Sequence, residues 1–432
     1  MKPFQEFSKY SILSVLGMIA ISCYILADTF FVAQSLGTNG LAALNLAIPA
    51  YNFIHGTGLM LGMGGATKYS IYKSRREHEN ANMIFTHTVY LSVFFSVIFV
   101  LAGALFSGPL AAALGAEGAV FEMTNTYLKV LLLFSPAFIF NDVLLCFVRN
   151  DGNPQLSMAA TVGGSLSNIV LDYVFMFPMH MGIFGAVLAT GMAPAIGIVI
   201  MMPHWLKKNK GFHLSWTALN ASAAKTHFAL GFPSLLVQLS SGIVMIIFNS
   251  IILGLEGNTG VAAYGVVANI SLVVQSIYTG IAQGIQPLVS REHGRHNRTD
   301  KRLYLKYSLL STLILSVVTY VLLFAGAAPI VQIFNSENST ALAAIAEVGM
   351  KLYFTSILFT GYNIIISTYF TSVERPWPAH ILSLLRSLIL IIPVTLVFAA
   401  IWGMTGVWLA LPATELIVAV IGLWFDRHKD RL

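Results

Sequence analysis

Twelve apolar runs, each long enough to cross a bilayer as a helix, divide this chain of 432 residues. A membrane-spanning helix needs about 20 mostly apolar residues. The runs fall at 10–36, 41–67, 83–107, 121–148, 155–178, 182–203, 227–255, 260–289, 307–331, 343–372, 379–401 and 405–425. Only 10% of the residues are charged, where soluble proteins carry about 25%. The chain therefore reads as an all-α polytopic membrane protein. The first run, from Ser11 to about Leu36, outlasts the apolar core of a signal peptide, about 7–15 residues, and reads as a retained span.

The connecting segments alternate in charge. Lys68–Arg76, Arg149–Pro154, His204–Lys225, Ser290–Lys306, Glu374–Pro378 and Asp426–Leu432 are basic or mixed. The segments at 37–40, 115–118, 178–181, 256–260 and 335–340 carry almost no positive charge. Lys129, Lys351 and Arg386 are the exceptions. Positive charge stays on the cytoplasmic side, so both termini are expected in the cytoplasm. The net charge of +6 follows this topology, and no nucleic-acid partner is expected.

The two halves repeat. Gly37-Thr38-Asn39-Gly40-Leu41-Ala42-Ala43 matches Gly257-Asn258-Thr259-Gly260-Val261-Ala262-Ala263. The segment from Gly182-Ile183-Phe184-Gly185 to Ala189 matches that from Gly403-Met404-Thr405-Gly406 to Ala410, and Lys129 matches Lys351. Duplicated units of this kind build many transporters, with the substrate site between them. The expected organisation is an N-lobe over 1–206, a cytoplasmic linker over 207–225 and a C-lobe over 226–432. Cys23 and Cys146 both fall within spans, so no disulfide is expected and both read as small buried apolar residues.

Four carboxylates interrupt the apolar runs: Asp28, Asp142, Asp172 and Glu415. Intramembrane acids are costly and usually face a cavity or an ion path. Tyr24 and Asp28 are four residues apart, as are Asn168 and Asp172, so each pair shares one helical face. With Thr190 in span 6 they offer two carboxylates, an amide and two hydroxyls, an oxygen set that suits hard cations. Desolvation and mutual repulsion disfavour two neighbouring negative charges, so such a pair takes up H+ or another cation. Na+ would take Asp28, Asn168 and Asp172. The alternative for these residues is a buried polar network that only pins three helices.

Other polar residues are candidates for substrate or coupling contacts: Asn141 and Asp142 in span 4, His55 in span 2, Gln238 and Gln283 in spans 7 and 8, and Glu415 in span 12. The second half has no acid matching Asp28 or Asp172; its intramembrane polar residues are largely neutral. Gly58 and Gly62 form a GxxxG pattern for close helix packing. GxxxxGK[ST], HExxH, CxxC and GxSxG patterns are all absent, so no enzyme activity and no cofactor beyond the coupling ion are expected.

Ala27-Asp28-Thr29-Phe30-Phe31-Val32, Leu36-Gly37 and Leu41-Ala42-Ala43 resemble the opening signature of the multidrug and toxic compound extrusion family. Arg149, Gly152-Asn153-Pro154, Asn168 to Asp172 and Gly182 to Thr190 resemble its span 4–6 pattern. The likeness extends to Pro233 and Gln286-Pro287 and is greatest to the DinF-like and MepA-like branch. It implies twelve helices in two lobes of six, a monomer, and antiport of hydrophobic or cationic compounds against H+ or Na+. It also implies a first-lobe site at Tyr24, Asp28, Asn168, Asp172 and Thr190. The span 7 glutamate of the NorM-like branch is missing, because this region reads Gln238-Leu239-Ser240-Ser241. A proline early in span 1, frequent among relatives, is missing too. A lipid-linked oligosaccharide flippase of the same superfamily is the alternative. An intramembrane aspartyl enzyme using Asp28 and Asp172 is the rival from another class.

Overall fold

The computed structural model describes residues 2–206, 211–218, 221–334 and 339–428. Among these residues there are helices and no strand. Lipid offers the backbone no hydrogen bonds, so an apolar run satisfies its own as a helix. The order is α1 (Pro3–Ser74), α2 (His78–Ala113), α3 (Gly118–Leu133), α4 (Ser135–Asn150), α5 (Pro154–Met176) and α6 (Gly182–Leu206). Then follow α7 (Ala221–Gly294), α8 (Arg298–Ala325), α9 (Ala327–Phe334), α10 (Thr340–Tyr353), α11 (Ile357–Ser372), α12 (Pro376–Leu384) and α13 (Ile391–Arg427).

Eight helices are long and apolar enough to cross a membrane, or nine with the bent α3–α4 pair. Three of the continuous stretches break internally: at Gly37 in α1, Gly257 in α7 and Gly403 in α13. Each break divides a stretch into two crossings, which is consistent with twelve. The segments expected as loops at 37–40 and 256–260 are instead single-residue kinks within helix. One glycine at positive φ redirects the chain without opening a loop.

The structure corrects three spans expected to be continuous. The span at 121–148 bends by 48° between α3 and α4. Pro136 begins α4, and a proline inside a helix removes a hydrogen bond and clashes with the preceding turn. The span at 343–372 carries a 3-10 turn at Phe354–Ser356. The span at 379–401 carries a π turn at Leu385–Ile389. There Pro393 has no N–H to donate to the carbonyl four residues back, at Ile389. Cys23 is a further correction: Cys146 is buried but Cys23 is exposed. Its neighbour Ser22 faces inward to Ser276, and one residue further round the helix, about 100°, the side chain points out.

One hydrophobic core gathers residues from Val32 to Leu235, and a second gathers residues from Phe248 to Ala410. A third, at the basic-loop end, packs Phe7 and Tyr10 of α1 among Ile281, Ile285 and Tyr304. The halves meet backbone to backbone there. A Cβ on Gly284 would stand 2.8 Å from the Ser11 Cα, and one on Gly280 would stand 2.5 Å from the Val15 Cα. Arg149 donates to Gln283 (2.7 Å), Asn150 to Gln286 (2.8 Å) and Gln286 to Thr67 (2.9 Å). Lys68 pairs with Glu374.

Of the expected linker, 207–210 and 219–220 lie outside the described residues, as do 335–338 and 429–432 of two other expected segments. Within 211–218, Phe212 is buried against Tyr69, Phe85 and Phe147.

Candidate functional site

Asn153 caps α5 by accepting the Leu156 N–H at 3.2 Å, and Pro154 follows in the first turn. This start sets the phase of the helix, so Asn168 and Asp172 both face inward and are fully buried. α6 follows after Gly182, at φ 59°. A Cβ on Gly164 would stand 3.0 Å from the Ala193 carbonyl, so α5 and α6 pack almost in backbone contact. That proximity delivers Thr190 to Asn168. In the amide orientation that satisfies both ends, Asn168 Nδ2 donates to Asp172 Oδ2 at 3.0 Å. Its Oδ1 accepts the Thr190 backbone N–H at 3.2 Å.

Asp28 approaches from α1. It is 7% exposed and lies within electrostatic reach of Asp172. Asp28 Oδ1 and Asp172 Oδ1 are both buried without a hydrogen-bond partner among the described residues. Two buried carboxylate oxygens with unused lone pairs and the amide beside Asp172 make an acceptor-rich set. Such a set fits H+ or a hard monovalent cation, and burying it uncompensated is costly.

Sequence reasoning missed two tyrosines here. Tyr127 of α3 is buried within reach of Thr190 and of both acids. A tyrosine within an apolar run was its only sequence signal. Tyr51 was legible, since it sits four residues before His55. Its hydroxyl meets that of Tyr24 at 2.6 Å, and its ring stacks on His55 with centroids 5.8 Å apart. His55 Nδ1 stands 2.7 Å from Asp142 Oδ2. Tyr24 thus faces Tyr51, and Asp142 joins α4 to α1 through His55.

The remaining candidates are dispersed. Asn141 Oδ1 is buried against Gly197 of α6. Gln238 packs beside Gly56, where a Cβ would meet its own Cβ at 3.1 Å. Gln283 is held by Arg149 at the basic-loop end. Glu415 lies in the second half, paired with Arg386 at 2.6 Å. The structure brings neither Gln283 nor Glu415 to the acid pair. Gly58 and Gly62 do face a neighbour: Cβ atoms there would crowd Asp142 and Cys146 of α4.

At the basic-loop end, Asp151 accepts from Tyr69 (2.5 Å) and His204 (2.8 Å) and pairs with Lys73. Burial alone would raise its pKa; the hydrogen bonds and the Lys73 charge outweigh that and hold it at about 2. The Arg291 hydrogen bond likewise holds Glu6 below the ordinary carboxylate range. Arg291 clasps Glu6 through two bonds of 2.6 and 2.8 Å, which tie the start of α1 to the end of α7.

The MatE family model matches residues 14–174 and 233–397. The multidrug export protein MepA of Staphylococcus saprophyticus is 24% identical over 422 residues, 97% of this chain and 92% of that one. A MATE solved in complex with MaL6 superposes with a TM-score of 0.94 at 23% identity, covering 99% of this chain and 96% of that one. An outward-facing multidrug resistance MATE family transporter of the MOP superfamily gives 0.93, with the same identity and coverage.

Proposed function

The chain belongs to the MatE family, and from that premise we propose that it is a secondary antiporter exporting hydrophobic or cationic compounds in exchange for H+ or Na+. The exchanging ion binds at Asp28, Asn168 and Asp172, with Tyr24 and Thr190 beside them. One observation carries this reading: two buried aspartates within mutual reach, each with a carboxylate oxygen left without a partner. Neutralising that pair lets it stay dry, and loss of the ion leaves charge that favours a rearranged, wetter site. A ligand drives such a change only through unequal affinity for the two states.

The contacts at the basic-loop end support the other half of the cycle. With that side cytoplasmic, the conformation is closed toward the cytoplasm. Loading drug from inside requires parting Arg149 from Gln283 and Asn150 from Gln286. The two units are 1–206 and 226–432, and their relative rocking exposes the cleft to each side in turn. The flippase alternative needs free positive charge for phosphates, whereas Arg386 is engaged by Glu415.

The test is uptake of a fluorescent cation into proteoliposomes under a pH gradient alone and a Na+ gradient alone. Wild type should respond to one of them, and Asp172→Asn should insert but not couple. Full gradient-driven flux in the variant would overturn the assignment.

A further inference from the structure

A second buried ionic cluster stands apart from the acid pair and takes no part in the exchange proposed above. Glu415 of α13 is 2% exposed. Its Oε1 accepts from Arg386 Nη2 at 2.6 Å and Nε at 3.2 Å, and its Oε2 accepts from Asn363 Nδ2 at 2.6 Å. The same amide donates to the Glu415 backbone carbonyl at 2.8 Å. Asn363 Oδ1, on the amide that donates to this carboxylate, is buried with no partner among the described residues. Arg386 sits within the π turn Leu385–Ile389, a distortion frequent at functional sites.

Two of the groups, carboxylate and amide, are of the same kinds as in the first half. The repeat accounts for part of the likeness. Asn363 follows Asn141 by 222 residues, the interval that separates Lys351 from Lys129. Asn141 faces Gly197, a position with no side chain, whereas Asn363 faces Glu415. The difference lies in the cation. Neither Asp28 nor Asp172 has an ion-pair partner among the described residues. Glu415 has a guanidinium bound to it through the chain.

We propose that Arg386 is a tethered resident cation in a latent monovalent-cation site formed by Glu415 and Asn363. The site has oxygen donors suited to H+ or an alkali ion. The guanidinium neutralises the carboxylate throughout the cycle, so this half loads no exchangeable ion. Ion coupling is thereby confined to one half of a duplicated fold. Removing the guanidinium obliges Glu415 to take a proton or an alkali ion from solution, because an unpaired buried carboxylate is not tolerated.

Dicyclohexylcarbodiimide tests this without any transport readout, so its outcome is separable from that of the antiport proposal. The reagent adds to protonated carboxyl groups in apolar surroundings and leaves paired carboxylates unmodified. The full chain is treated in detergent, and the label at Glu415 is quantified by peptide mass spectrometry. Wild type should be unlabelled there. Arg386→Met should be labelled several-fold more, and Arg386→Lys, which keeps a cation, should stay near wild type. Suppression of the Met-variant label by Na+ but not by choline would identify an alkali ion as the exchangeable species. Equal labelling in both salts would identify H+. Label at Glu415 in wild type, or none in a folded Arg386→Met protein in choline, would overturn the proposal. Should Arg386→Met fail to fold, Arg386→Lys still decides, since labelling well above wild type would sink the idea.

Discussion

His55 Nδ1 and Asp142 Oδ2 stand 2.7 Å apart between α1 and α4, the carboxylate buried and the imidazole partly so. Removing one of two facing polar groups leaves the other without its partner, at a cost of about 1–3 kcal/mol, whereas replacing both with apolar groups of similar shape is often nearly neutral. Asp142→Leu alone should therefore destabilise the protein strongly, and the His55→Leu/Asp142→Leu double variant should recover most of the loss. Thermal unfolding in detergent across the full double-mutant cycle measures this. Additive losses would mean that the pair is not coupled.

Tyr127 lies beside Thr190, whose backbone N–H donates to Asn168, and within electrostatic reach of Asp28 and Asp172. Tyr127→Phe keeps the ring and removes one hydroxyl, worth about 0.5–1.5 kcal/mol. The expected result is an intact fold with the half-saturating H+ or Na+ concentration for transport raised about 3–10-fold. Transport titrated against pH and against Na+ supplies the number. A purely structural tyrosine would lower the melting temperature and leave that concentration unchanged.

Gly37 (φ 63°, ψ −149°) and Gly257 (φ 62°, ψ −156°) adopt almost the same conformation, and nothing lies within 4 Å of a Cβ at either. An alanine there meets no neighbour, so its cost is backbone strain alone, about 1–3 kcal/mol. Gly37→Ala and Gly257→Ala should lower stability by similar amounts. Unfolding midpoints for the two single variants check this, and a large difference between them would show that the kinks are not equivalent.

Asp151 is held at about 2 by His204, Lys73 and Tyr69 despite its burial. Its folded-state value lies below the unfolded one, so its contribution is full above about pH 4 and is lost as pH falls toward 2. The stability gap between wild type and Asp151→Asn should be about 2 kcal/mol at pH 7 and should narrow below pH 4. Denaturant titrations at the two pH values decide it. A gap independent of pH would remove the carboxylate charge as its cause.

Much of the architecture was legible because it rests on local physics. Lipid forces apolar runs into helices, and the duplicated glycine motifs marked the repeat, although the segments at 37–40 and 256–260 read as loops and are kinks within helix. The face shared by Asn168 and Asp172 followed from helical period alone. Whether a run bends was less legible. Pro136 and Pro393 were visible, but the form of the distortion, a 48° bend in one place and a π turn in the other, depends on which neighbours press on the helix.

The sequence by itself determined the helices, their duplication and the identity of the acids, because spacing, composition and period act within one segment. Tertiary structure alone decided which acids meet which partners. Asp172 lies within electrostatic reach of Asp28 and accepts from Asn168, Asp142 faces His55, and Glu415 faces Arg386. Each of these encounters, apart from Asn168 with Asp172, joins separate helices. The balance between a neutralised carboxylate and one left with a bare oxygen is set by burial and by that partner, and neither is a property of the local sequence.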